Sequence, residues 1–179
     1  MNLDELAAYR PTSSAQRRLQ DEFLARADAP LPTARAAGPA HLTASAIVLA
    51  PGLTHVLLVL HGKVRRWMQP GGHVDDGDAC LSAAALREAV EETGVPSLRL
   101  ATPAPVHLER HPAPCGVQHH LDVRFLLLTD DRSGVVVSAE SLDVAWWPVD
   151  ALPEGAVQGL AELVRAGIAA ATARRAAVE

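Results

Sequence analysis

The sequence predicts an α/β fold: a mixed β-sheet with helices packed on both faces, preceded by a helical extension. Three observations carry that prediction. Short runs rich in Val, Ile and Leu, bounded by turn residues, recur through the middle of the chain and read as strands. Two longer segments, 79–93 and 157–171, repeat apolar residues at three- and four-residue steps and read as helices that bury one side. With 179 residues, 49% of them hydrophobic and 21% charged, the chain can bury one substantial core and is too apolar to remain disordered. Strands interleaved with such helices settle into layers, because each helix must cover its apolar stripe against a sheet.

The elements follow in order. Residues 1–28 read as helical, with Ser13 and Gln16 as a capping box and Leu19, Phe23 and Ala27 at four-residue steps. Residues 29–40, APLPTARAAGPA, cannot hold a long helix and read as a linker. The chain thus divides into an N-terminal helical extension and linker, 1–40, and a main domain, 41–175. The extension has no motif; covering a sheet edge, forming a homodimer contact and capping a cleft are all open to it. Strands are expected at 42–49 and 56–61, separated by Pro51-Gly52, and a short extended piece at 65–69 stops at Pro70-Gly71-Gly72. After the helix at 79–93, strands at 98–109 and 121–129 flank a loop containing Pro, His and Gly. A last strand, 144–149, leads to the helix at 157–171, whose buried face holds Val157, Leu160, Val164 and Ile168.

Charge and composition exclude several functions. The net charge is −5, which opposes a non-specific grip on the phosphates of long nucleic acid. No apolar run approaches the roughly 20 residues of a membrane span. The first ten residues carry Asp4 and Glu5 and lack the apolar stretch of a signal peptide. Cys80 and Cys115 form no CxxC pair, which suits a reducing compartment. A cytoplasmic protein is expected. The set His107, His111, Cys115, His119 and His120 has no tight ligand spacing, so no structural zinc site is predicted from it.

Chemistry concentrates in residues 71–95, GGHVDDGDACLSAAALREAVEETGV. Asp78 is expected as the helix N-cap, Gly94 as the left-handed residue closing the helix, and Ala79, Ala83, Leu86 and Val90 as its buried stripe. Glu88, Glu91 and Glu92 stand at i, i+3 and i+4, so their Cβ atoms lie about 5–6 Å apart on one patch. They sit at the helix end where the dipole opposes negative charge, and Arg87 offsets only part of it. A hard divalent cation such as Mg²⁺ suits that carboxylate cluster.

Other residues invite chemical readings. His120, Asp122 and Arg124 alternate along one strand and share a face, lining a cleft or meeting solvent. His73 follows the glycines and is the histidine expected nearest a substrate. Trp67 is expected in the core with Arg65 and Arg66 outside, and Trp146-Trp147 are expected to pack at a strand end.

The segment resembles the Nudix box, G-x5-E-x7-R-E-U-x-E-E-x-G-U, where U is a bulky aliphatic residue. Gly72, Arg87-Glu88-Ala89 and Glu91-Glu92-Thr93-Gly94-Val95 carry the resemblance. Asp78 stands for the first Glu, and eight residues rather than seven separate it from Arg87. Similarity extends loosely to HLTASAIVL, to Trp67-Met68-Gln69-Pro70 and to SLDVAWWPVDALPE. The resemblance implies an α/β/α sandwich and a hydrolase that cleaves the diphosphate of a nucleoside diphosphate linked to another group, using Mg²⁺ or Mn²⁺. It implies Glu88, Glu91 and Glu92 as metal ligands with a carbonyl of the Gly71-Gly72 turn, Arg87 as their orienter, and Gly71, Gly72 and His73 beside the bound ion and substrate. The general base is left among Glu88, Glu91 and acids of the 130–143 loop: Asp130, Asp131, Glu140 and Asp143. Two rival readings are a nucleotide-sensing or protein-binding module on the same fold, and an isomerase of allylic diphosphates.

Overall fold

The computed structural model describes residues 4–27, 40–113 and 117–177. Strand β1 (Ala40–Leu49) is the spine of an eight-stranded sheet. It runs parallel to β7 (His119–Leu128), from Ala40 opposite His119 to Leu49 opposite Leu128. All ten β1 residues are buried, as in a strand covered on both faces. On its other edge β1 pairs antiparallel with β2 (His55–His61) at one end and with β4 (Gly71–His73) at the other. Strands β3 (Trp67–Met68) and β8 (Ser141–Pro148) pair with β2, while β5 (Arg99–Leu100) and β6 (His107–Pro112) pair with β7. One parallel pair among antiparallel neighbours makes the sheet mixed, as predicted.

Alternation along the strands divides the core between two faces. Leu42, Ala44, Ala46 and Val48 of β1 join Val123 and Phe125 of β7 against helix α3 (Leu81–Thr93). Ile47 and Leu49 join Val56, Leu58 and Leu126 against helix α4 (Leu160–Ala176). Helices on both faces complete the predicted sandwich. Among the described residues, no helix is long and apolar enough to cross a membrane.

Several boundaries differ from expectation, each for a local reason. The predicted strand 98–109 is two short strands, β5 and β6, because Pro103 and Pro105 interrupt the ladder between them. The extended piece at 65–69 keeps only Trp67–Met68 as strand, since Arg65 takes a positive φ of 55°. The piece does stop before Pro70, but Gly71–His73 then forms a further strand, β4, against β1. The last helix begins at Leu160 rather than residue 157, because Gly159 sits at φ 84° and Val157 N bonds to Trp67 O at 2.9 Å instead.

The N-terminal extension is part of the core. It forms α1 (Asp4–Ala8) and α2 (Ser14–Ala27) within the span read as helical, parted around Pro11. The Ala27 side chain and most of the 29–40 linker lie outside the described residues. Ser13 Oγ accepts from Gln16 N at 3.2 Å, as the capping box requires. Leu6, Tyr9 and Phe23 are buried with the α3-side cluster. Gln16 lies along edge strand β6, accepting from Leu108 N at 2.9 Å and donating to Leu108 O at 3.0 Å. This satisfies backbone groups that an open edge would offer to another chain. Of the three roles left open, covering a sheet edge is the one the structure shows.

His107 adjoins this joint, 3.1 Å from Gln16 Nε2 and 3.6 Å from Glu162 of α4. Burial, reinforced by Arg124, pushes its pKa below the usual 6.5. The fold therefore holds His107 neutral, while the unfolded chain takes up the proton as pH falls through about 6.5. Its contribution to stability is complete above that value and declines on acidification. Wild-type Tm should fall more between about pH 7.5 and about pH 5.5 than that of His107→Gln; equal falls would exclude His107 as the source.

Candidate active site

The loop before α3 is closed by its own acids. Asp78 N donates to Asp75 O at 3.0 Å, and Asp75 N donates to Asp78 Oδ2 at 2.8 Å. The helix starts at Leu81, with Cys80 in the N-cap position making no side-chain capping bond. This corrects the expected N-cap role of Asp78. Its carboxylate receives Arg87 on both oxygens, from Nε at 3.0 Å and Nη2 at 2.8 Å. Bonding to Arg87 holds the Asp78 carboxyl below the usual carboxylate range, against the opposing effect of burial. Ala79 and Cys80, two of the eight residues between Asp78 and Arg87, precede the helix, and Arg87 still reaches both oxygens of Asp78 across the longer spacing.

The first turn of α3 draws its anion from elsewhere in the chain. Glu5 of α1 accepts from Ser82 N at 3.1 Å and from Ser82 Oγ, placing a carboxylate at the positive end of the helix. The buried side of the helix carries Leu81, Ala84, Ala85 and Ala89, which corrects the stripe expected at Ala79, Ala83, Leu86 and Val90. Ala79 is exposed, while Leu86 and Val90 pack at the margin of the core. Small alanines face the sheet and bring the helix close to it, so the bulkiest residues do not mark the innermost face.

Arg87 organises the acids beyond it. Its Nη1 donates to Glu88 Oε1 at 2.9 Å and Glu91 Oε2 at 3.2 Å, and its Nη2 donates to His73 O at 3.0 Å. Glu92 is buried, and its Oε2 accepts from Gly71 N at 2.9 Å. Burial pushes the Glu88 carboxyl up, opposed by Arg87 and reinforced by Glu91 and Asp75. Burial also pushes Glu92 up to about 7; the Gly71 amide opposes this, while Glu88, Glu140 and Glu91 add to it. Glu140, from the loop before β8, is therefore close enough for its charge to be felt at Glu92.

The two glycines leave room for this arrangement. A Cβ on Gly72 would lie 2.6 Å from Glu88 Oε2, and one on Gly71 would lie 2.2 Å from Ser45 Cβ and 2.8 Å from Ala44 O. The Gly71 clash is with backbone and a strand residue that cannot swing away. Gly71→Ala should therefore cost roughly 1–3 kcal/mol in denaturant unfolding, through forced separation of β4 from β1. A midpoint unchanged from wild type would contradict this packing.

Beneath the glycines, on the sheet face away from α3, lies a buried polar cluster that the sequence showed only in part. His41, Thr43 and Ser45 of β1 stand opposite His120, Asp122 and Arg124 of β7. The latter three neither meet solvent nor form an open face: they are 7%, 2% and 3% exposed. Asp122 accepts from Thr43 Oγ1 at 3.1 Å, Ser45 Oγ at 2.8 Å and Arg124 Nε at 2.7 Å, with Gln69 Nε2 at 3.4 Å. Burial alone would raise its pKa, but Arg124, His111 and these bonds outweigh that and hold it low. Arg124 also pairs with Glu109 of β6. Burial, followed by His111, His41 and His73, pushes His120 down to about 4.

His41 was missed because HLTASAIVL reads as an ordinary core strand; only strand register brings residues 41, 73 and 120 together. Trp67 packs edge-on against Trp147, with ring centroids 5.4 Å apart, and Arg65 and Arg66 are exposed as expected. Arg66 Nη2 donates to Ala156 O at 2.7 Å, and Trp146 Nε1 donates to Arg132 O at 3.0 Å. In the same loop Asp130 pairs with Arg99 at 2.6 Å and Asp131 turns to Ser133.

A glycine-lined strand end, a helix carrying Arg-Glu and Glu-Glu steps, and a sheet with helices on both faces invite comparison with known proteins. Residues 39–167 match the NUDIX domain family. The chain belongs to the Nudix family. Members of this hydrolase family act on nucleoside diphosphates linked to other groups and generally require divalent cations. Solved Nudix structures share the fold. A NUDIX-family hydrolase from Clostridium perfringens is 22% identical, with a TM-score of 0.60 over 74% of this chain and 97% of that one. An Ap4A hydrolase from C. elegans, in a binary complex, is 22% identical, with a TM-score of 0.59 over 72% and 95%. The NUDIX domain of Shewanella oneidensis NrtR, complexed with ADP-ribose, is 22% identical, with a TM-score of 0.55 over 83% and 96%. Among curated proteins the chain has no match.

Proposed function

We propose that this Nudix protein is a cytoplasmic pyrophosphohydrolase that cleaves a phosphoanhydride bond in a small nucleotide derivative with Mg²⁺ or Mn²⁺. The observation that carries this reading is the carboxylate of Glu92, buried with Gly71 N as its donor at the same helix end as Glu88 and Glu91, whose charges act on it. A buried anion among other anions is costly unless a cation joins it. Three carboxylates are the donor set a hard divalent ion takes, and the missing Cβ of Gly72 leaves space beside Glu88. The residues fit the metal the family uses: Glu88, Glu91 and Glu92 would hold it, with the Gly72 carbonyl. Bound there, a divalent ion neutralises phosphate charge and acidifies water.

The chain's own groups do the rest. Arg87 fixes Glu88 and Glu91 while it ties His73 O to Asp78, so the loop and the helix hold one geometry. Asp78 thereby takes the arginine-supporting role of the box glutamate that it replaces. Glu88, Glu91 and Glu140 are the acids available to receive a proton from the attacking water. His73 follows the glycines, but its side chain faces away from α3; its contribution to the box is its carbonyl, which accepts from Arg87.

The test is a hydrolysis screen with Mg²⁺ and with Mn²⁺ against nucleoside triphosphates, dinucleoside polyphosphates, ADP-ribose, NADH and nucleotide sugars. Turnover of one class by the wild type, absent from Glu92→Gln, is expected and would identify the linked group. Binding of metal and nucleotide with no turnover anywhere would replace the enzyme by a sensing module.

A further inference from the structure

Four histidines lie across neighbouring strands. The β6–β7–β1 register sets His120 opposite His111 on one side and His41 on the other. On the far side of β1, His73 of β4 stands opposite Thr43, one same-face step from His41. Ring centroids are 4.7 Å apart for His41 and His120, 4.8 Å for His41 and His73, and 5.3 Å for His73 and His120. One ring nitrogen from each of these three lies within 4.8 Å of the others. Among the described residues, this is the group of potential ligand atoms that converges most plainly; the box glutamates are instead drawn apart, toward Arg87 and Gly71.

The chemistry of the two clusters differs. Glutamate oxygens suit hard ions, whereas imidazole nitrogens suit borderline first-row transition ions. Zn–N bonds of about 2.0–2.1 Å need nitrogens roughly 3.3–3.5 Å apart, so a bound ion would draw the three nitrogens together from a span of up to 4.8 Å. His41 and His120 are buried and His73 is half-buried, so the rings are held in place on strands. Gly72 and His73 alternate, the first toward Glu88 and α3, the second toward the opposite face.

We propose that His41, His73 and His120 form a second cation site, for a transition ion such as Zn²⁺, across the sheet from the box glutamates. Among the described residues, His111, whose ring centroid is 5.2 Å from that of His120, is placed to add a fourth nitrogen. Because His73 O also accepts Arg87 Nη2, an ion held there would tie the end of β4 to the arginine that organises the box.

Cobalt(II) and zinc binding to the chelator-treated full chain test this, with Glu92→Gln, His73→Asn and His120→Asn beside the wild type. One equivalent of Co²⁺ should give the visible bands of a low-coordinate nitrogen site, and Zn²⁺ should displace it and raise Tm. Glu92→Gln should retain both signals. Since losing even an outer-shell partner weakens a metal site by 10–100-fold, each histidine variant should weaken binding by about 100-fold or more. Far-UV circular dichroism checks folding, and the half-buried His73 position carries the test should His120→Asn fail to fold. No Co²⁺ band and no Zn²⁺-dependent Tm shift in the wild type would reduce the cluster to packing. Signals lost in Glu92→Gln but kept in His73→Asn would move the ion to the box and overturn the proposal.

Discussion

Glu92→Gln is expected to lower metal-dependent hydrolysis by roughly 10²–10⁴-fold while leaving the fold intact. The amide keeps the shape of the side chain, and its oxygen can still accept from Gly71 N. What disappears is the negative charge that would hold the metal. The same change should help the metal-free protein. Burial and the neighbouring acids raise the Glu92 pKa from 4.5 in the unfolded chain to about 7 in the fold. Between those values the folded state binds more protons, so stability falls as pH rises through that window. Gln escapes this penalty, and at about pH 8 without metal the variant should melt above the wild type, by up to a few kcal/mol of stability. Steady-state kinetics and thermal melts with and without Mg²⁺ read both effects. Wild-type turnover in the variant would remove Glu92 from the chemistry; a lower metal-free Tm would show that its charge is stabilising.

Arg124→Leu is the substitution expected to cost most in stability, about 3–5 kcal/mol by urea unfolding. Arg124 is 3% exposed and sits between Asp122 and Glu109, both of which it pairs. Removing the guanidinium leaves Asp122, 2% exposed, with hydroxyl and amide partners but without its countercharge. The double variant Arg124→Leu with Asp122→Leu should recover much of that loss, because an uncompensated buried charge is worse than none. A double variant as unstable as the single one would mean that Asp122 acts through its bonds to Thr43 and Ser45, not through charge. Ser45 is also the residue against which Gly71 packs, so damage here should reach the strand that carries the glycines.

The layered fold and most elements were legible because helix and strand periods differ, and turns are marked by Pro and Gly. The box helix was legible in its end, where Gly94 closes it with N–H to Val90 O at 2.8 Å, but not in its start. Asp78 resembles an N-cap locally; its competitor for that carboxylate, Arg87, is nine positions away and reaches it only once the helix has formed. The strand at 98–109 looked continuous because its apolar content hid the effect of Pro103 and Pro105 on the ladder.

The sequence by itself determined the family, the strand and helix inventory, and the clustering of Arg87, Glu88, Glu91 and Glu92, since all of these depend on spacing within one short segment. Tertiary structure alone decided that Glu5 caps α3, that Gln16 closes the edge at β6, and that Asp122 and Arg124 are buried. It alone gathered His41, His73 and His120. Those relations depend on strand register and helix docking, which are set by the burial of the whole core, and residues 32 and 47 positions apart carry no local mark of their meeting.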